Sequence, residues 1–163
     1  MARQLMKAEQ ILSILRETPD RIIELTAGVT ASELRVASEP GEWSVAEVLA
    51  HLRSCADVWG DAIETIIGTD HPTIRAVSPT TWIKNTDYRE IEFAPSLQAF
   101  TKQRGRQLAV LGHLPNEGWS RTATVLGGGN PLELTVRSYA DRLARHERTH
   151  WRQVAKTVKA LAG

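Results

Sequence analysis

Apolar residues recur at three- and four-residue steps along most of the chain, the period of a helix with one buried face, and strand-type alternation is nearly absent. Leu5, Ala8, Ile11, Leu12 and Leu15 open the pattern, and Thr18-Pro19-Asp20 restarts it through Ile22, Ile23 and Leu25. This reads as one kinked helix or two consecutive ones, ended by Gly28. Thr30-Ala-Ser-Glu33 followed by Leu34 has the form of a capping box for a short helix ahead of the Glu39-Pro40-Gly41 turn. Ser44-Val-Ala-Glu47 is the clearest start signal, because the Ser44 hydroxyl can accept from the Glu47 amide while the Glu47 carboxylate accepts from the Ser44 amide. From that cap Val48, Leu52, Ala56, Trp59, Ile63 and Ile66 hold one stripe to Gly68, and Trp43 is placed to staple the entry.

Residues 69–94, with His71-Pro72, Pro79, Trp82, Asn85 and Asp87, keep no period and read as a long loop, a kind more often functional or flexible than merely connective. Leu97, Phe100, Leu108 and Leu111 predict a third helix from Pro95 to about His113, with Gly105 its weak point and Leu114-Pro115 its end. A turn-rich segment containing Trp119 and Gly127-Gly-Gly-Asn130 leads to Pro131, a first-turn residue, from which a last helix is predicted to run to about Leu161. Only Thr122-Ala-Thr-Val125 carries a strand signal. The expected architecture is an all-α bundle of about four main helices in one domain, 1–163.

Composition narrows the partners. Lys and Arg total 20 against 19 acidic residues and are interspersed, so there is no electrostatic footprint for nucleic acid. No segment is long and apolar enough for a bilayer, and Met1-Ala-Arg-Gln-Leu-Met-Lys7 lacks the apolar core of a signal peptide, so no membrane association and a cytoplasmic location are expected. The single Cys55 excludes an intramolecular disulfide and cannot alone make a thiolate zinc site, which leaves histidine and carboxylate as metal donors.

The chemistry concentrates in the histidines. The inward stripe of the last helix runs Val136, Tyr139, Leu143, His146, His150, Val154, Leu161, and two histidines four residues apart stand one turn above the other, able to address one ion. His51 lies beside Val48 and Leu52 at the edge of the second helix's stripe and is the natural third ligand if the two helices face each other. Three imidazoles suit zinc, nickel, copper or ferrous iron and leave a position for water or substrate. The spacing by itself more often marks surface or hydrogen-bonded histidines than a metal site. His71 and His113 read as solvated, Cys55 as a small buried hydrophobe that could also approach a metal from the face of His51, Glu47 and Glu147 as solvated carboxylates that could otherwise hydrogen-bond a ligand or act as a general base, and Gln153 as a residue able to orient a ligand or a water, which packing or solvation explains as readily. Gly127-Gly-Gly-Asn130 lacks the following Lys-Ser/Thr of a phosphate cradle and reads as a flexible connection, while Trp82 suggests a substrate wall.

Two segments carry a family resemblance. Gly41-Glu-Trp-Ser44, running into Glu47-Val-Leu-Ala-His51-Leu52, resembles the opening of the second helix in DinB/YfiT-like proteins, and His146-Glu-Arg-Thr-His150-Trp-Arg-Gln153 resembles their terminal HxxxHxxQ segment. Asp87-Tyr-Arg, Phe100 and Trp119-Ser-Arg are similar in style. The resemblance implies an up-down-down-up four-helix bundle, a homodimer, and a divalent ion, zinc or nickel foremost, held by His51, His146 and His150. It also implies a small-molecule substrate, acted on by hydrolysis or by transfer to a low-molecular-weight thiol such as bacillithiol or mycothiol. Arg53, Arg142, Arg145 or Arg148 could read the carboxylates of such a thiol, and arginines at such places are also ordinary helix-surface residues. The competing readings are a stress-linked protein that binds metal or a small molecule without turnover, and an interaction module whose histidines bind nothing.

Overall fold

The computed structural model describes residues 3–163; Met1 and Ala2, part of the segment read for a leader, lie outside it. Four long helices form the body: α1 (Ala8–Thr26), α2 (Val45–Gly68), α4 (Phe93–Gly112) and α6 (Val136–Ala162). Between them stand β1 (Thr73–Arg75), the single turns α3 (Pro79–Trp82) and α5 (Asn116–Trp119), and the strands β2 (Thr122–Leu126) and β3 (Leu132–Thr135).

The direction of each helix follows from which residues meet. Met6 bonds Asp141 and Arg21 lies over Trp151, so α1 and α6 run parallel. Arg53 bonds Ser96 and Asp57 bonds Gln103, so α2 and α4 run parallel too. Trp59 meets Arg142 and His146 while His51 meets His146 and His150, which makes α2 and α6 antiparallel. The bundle is therefore up-down-down-up, as expected. Parallel neighbours cannot be joined by a tight turn, and this explains the long connection between α2 and α4. That connection is built, contrary to the expectation of a loop without elements: β1 pairs in parallel with β2, and Trp82 Nε1, Tyr88 Oη and Gln103 Nε2 all donate to the Asp57 carboxylate, pinning it to the bundle.

The strong cap is present as expected, with Glu47 N donating to Ser44 Oγ and Ser44 N donating to Glu47 Oε2. Thr30 and Glu33 exchange the same pair of bonds ahead of a single 3₁₀ turn at Glu33–Arg35. The last helix begins later than the sequence suggested. Leu132–Thr135 pairs antiparallel with β2, and Thr135 caps α6 by accepting from Ser138 N. Pro131 suits an edge-strand entry as well as a helix start, and the strand signal at 122–126 needed a partner to satisfy its backbone.

Pro19 lies inside α1 without ending it. Proline has no N–H, so the carbonyl four residues back, Leu15 O, loses its helical donor. Arg104 supplies one, its Nη1 donating to Leu15 O at 2.9 Å. The same guanidinium pairs with Glu147 and, through Gln107, reaches Ala56 O, so one buried side chain links all four long helices. Glu147, read from the sequence as solvated, is fully buried.

Candidate metal centre

His51 sits in the second turn of α2, fixed by the Ser44–Glu47 cap, and is 8% exposed. His146 and His150 project from consecutive turns of α6 towards it. His51 Nε2 and His146 Nε2 are 2.9 Å apart, and His146 Nε2 and His150 Nε2 are 3.1 Å apart. The three sequence-predicted residues are therefore brought together through one nitrogen each. His71 and His113 are exposed and engaged elsewhere, on Thr122 and Thr124 in one case and the Ala109 carbonyl in the other.

The donor chemistry fits an ion. Two nitrogens each ~2.1 Å from one metal lie ~3.0–3.4 Å apart, and the His51–His146 and His146–His150 separations fall close to that range. A neutral imidazole presents either one N–H or one lone pair at Nε2, so His146 Nε2, which faces both His51 and His150, cannot make a well-directed hydrogen bond to each. One tautomer is fixed: Gln153 Oε1 lies 2.8 Å from His150 Nδ1 and accepts its proton, which leaves the Nε2 lone pair free. Burial, then the neighbouring His150 and Arg89, lowers His51 to a pKa of about 4. Burial, then His150 and His51, lowers His146 to about 4 as well. His150 is also lowered by burial, against the opposing pull of Gln153 and Glu147. All three rings are consequently neutral at pH 7, the form that binds metal.

Cys55, one turn after His51, is closer than the sequence suggested, its Sγ 3.5 Å from His51 Nε2. Its thiol is fully buried and pushed up to about 12 by desolvation and by Glu147, and its Sγ lies with one ring nitrogen each of His51 and His146 within 4.8 Å of one another, so Cys55 forms a second possible donor set with those two histidines. Glu147 itself is committed to Arg104 and cannot serve as a base facing the cluster. Aromatic rings frame the rest. Trp43 stacks on His150 with ring centroids 6.1 Å apart and planes 9° apart, and Trp59 meets His146 edge-on at 5.2 Å. His51 opens to a small crevice lined by Trp43, Glu47, Thr80, Ile83 and Arg89, and His146 to a wider groove along the arginine-rich face of α6.

Sequence reasoning missed the clamp beneath the site, because nothing local marks Glu147 as the partner of a residue on α4. The signal available was Glu147's place beside a ligand position with an unpaired arginine, Arg104, on the expected inward side of the third helix.

Comparison with known proteins agrees with this architecture. The chain is 24% identical over 131 residues to a protein of Geobacillus thermodenitrificans (strain NG80-2) named "Putative metal-dependent hydrolase", covering 77% of this chain and 70% of that one. It is 23% identical over 159 residues to a protein of Geobacillus kaustophilus (strain HTA426) with the same description, covering 94% and 85%. Its fold matches YfiT from Bacillus subtilis, described as "a probable metal-dependent hydrolase with an unusual four-helix bundle topology", with a TM-score of 0.75 and 18% identity over 96% of this chain and 91% of that one. The model of the DinB superfamily matches residues 14–154, nearly the whole bundle and all three histidines, and the chain belongs to that superfamily.

Proposed function

We propose that this protein is a divalent-metal-dependent hydrolase whose ion is held by His51, His146 and His150. The observation that carries the reading is that His146 Nε2 lies 2.9 Å from His51 Nε2 and 3.1 Å from His150 Nε2, three neutral imidazoles of which one has its tautomer set by Gln153. The hydrolase names of the Geobacillus relatives support the choice of reaction. Held by His51, His146 and His150, a divalent ion would supply a more acidic water and Lewis-acid polarisation of a carbonyl or phosphoryl oxygen.

The chain's own residues supply the setting. Desolvation keeps the three rings neutral, so they offer lone pairs without first losing protons. Trp43 and Trp59 flank the open side and limit water around a bound substrate. The Arg104–Glu147 pair fixes the backbone of α6 between the two ligand positions it contributes.

Protein stripped with a chelator and reloaded with zinc, nickel or manganese should hydrolyse members of a chromogenic ester and amide panel, and His51→Ala should abolish that turnover. Metal-independent turnover, or turnover unchanged by His51→Ala, would overturn the assignment.

A further inference from the structure

Beyond Trp59 lies a cavity of about 250 Å³, walled by α2, the three-stranded sheet and the start of α6. Its lining is largely apolar, with Ala62, Ile74, Val125, Leu134 and the ring of Tyr139 among the walls. The sheet that sequence reasoning reduced to one strand is what closes this space. A concave, mostly apolar site with a few polar groups at its edge is the usual form of a small-molecule pocket.

Arg142 stands at its mouth. Its guanidinium lies 5.8 Å from the Trp59 ring and 5.6 Å from the Tyr139 ring, both of which line the cavity, and it forms no salt bridge among the described residues. Arg142 also lines the open groove onto which His146 faces. On α6, Tyr139, Arg142, His146 and His150 follow one another at steps of three, four and four, so cavity wall, cation and histidines stand in line along one helix face. Asp61 is the acidic residue of the lining, its pKa raised by burial and by Asp57.

Resting on the hydrolase reading above, we infer that the cavity takes the apolar acyl part of the substrate and that Arg142 holds its carboxyl end on the His146 side. The ligand class is a carboxylic acid with a short aliphatic or single-ring body, and the substrate class is an ester or amide of such an acid. Hydrolysis then breaks the acyl C–O or C–N bond and joins the water oxygen to the acyl carbon. One proton of the water goes to the departing alcohol or amine and the other to solvent, leaving a carboxylate that a planar guanidinium matches with two hydrogen bonds.

Binding is measured by calorimetry with full-length protein, using hexanoate and phenylacetate with the neutral 1-hexanol and phenethyl alcohol as controls, while metal content is determined on the same samples. The carboxylates should bind more tightly than the alcohols. Arg142→Gln should weaken the carboxylates about ten-fold and leave the alcohols within two-fold. Thr65→Trp, at an exposed position of the lining, should fill the space and abolish binding of both. Both variants should keep the wild-type metal content and thermal midpoint. Carboxylates that do not bind wild type, or that bind Arg142→Gln and Thr65→Trp as well as wild type, would overturn the proposal. Carboxylate binding in a protein that takes up no metal would leave the pocket standing and remove the hydrolase reading instead.

Discussion

Replacing Glu147 by leucine tests the buried clamp most sharply. The carboxylate is fully buried and Arg104 is 2% exposed, so neither charge has water to fall back on. Removing one partner of such a pair leaves the other as an uncompensated buried charge, which costs about 3–5 kcal/mol. With a urea m-value of about 2 kcal/mol/M, a loss of about 4 kcal/mol lowers the unfolding midpoint by about 2 M. Replacing both members, Arg104→Met with Glu147→Leu, removes the stranded charge and should recover most of that loss. A residue of about 1–3 kcal/mol should remain, because the Leu15 carbonyl then has neither Arg104 nor, with Pro19 four residues on, a helical N–H. Adding Pro19→Ala to the double variant restores that N–H and should recover the remainder. Urea titrations of the three variants under chelator, so that metal binding does not enter the midpoint, measure all of these steps. A Glu147→Leu loss below about 1 kcal/mol, or a double variant no more stable than the single, would refute the reasoning.

The depressed histidines make metal-free stability depend on pH: with folded pKa values of about 4 for His51 and His146 against an ordinary 6.5, the unfolded chain binds more protons between those values. Stability is therefore full above pH 6.5 and is lost as pH falls towards 4, and a His51→Asn/His146→Asn double variant should show a shallower fall in urea midpoint over that window. Gln153→Leu, which removes the acceptor on His150 Nδ1, should weaken metal binding by about 10- to 100-fold in a competitive chelator titration, with Gln153→Glu retaining most of the affinity. Unchanged affinity in Gln153→Leu would remove Gln153 from the site. Cobalt-loaded protein distinguishes the two donor sets: with the ion on the three histidines it should lack an intense thiolate-to-metal absorption in the near ultraviolet, and Cys55→Ser should bind the same equivalents of metal. A strong thiolate band lost in Cys55→Ser would make Cys55 a ligand.

Helix periodicity and capping carried most of the fold into view from sequence. Ser44–Glu47 marks the start of α2 because both halves of the cap are local, and the histidine stripe on α6 is visible because four residues make about one turn. What escaped depended on distant partners. Leu132–Thr135 becomes a strand because β2 offers it a ladder, although Pro131 equally suits a helix start. The α2–α4 connection is ordered by bonds to Asp57 from Trp82 and Tyr88, a convergence without periodic trace. Glu147 reads as solvated until Arg104, 43 positions earlier, is seen to face it. The residues that meet around the candidate centre were legible, but the cavity beside it was not, because its walls belong to a sheet assembled from three separated segments.

The central claim is that His51, His146 and His150 hold one divalent ion, and metal stoichiometry tests it most directly. Untagged protein is stripped, offered zinc and nickel separately, passed through a desalting column and measured by elemental analysis beside the His146→Ala/His150→Ala variant. About one equivalent of zinc or nickel in the wild type, absent from a folded variant, is the predicted result. A wild type that retains no ion, or a variant that retains as much as the wild type, would contradict the account.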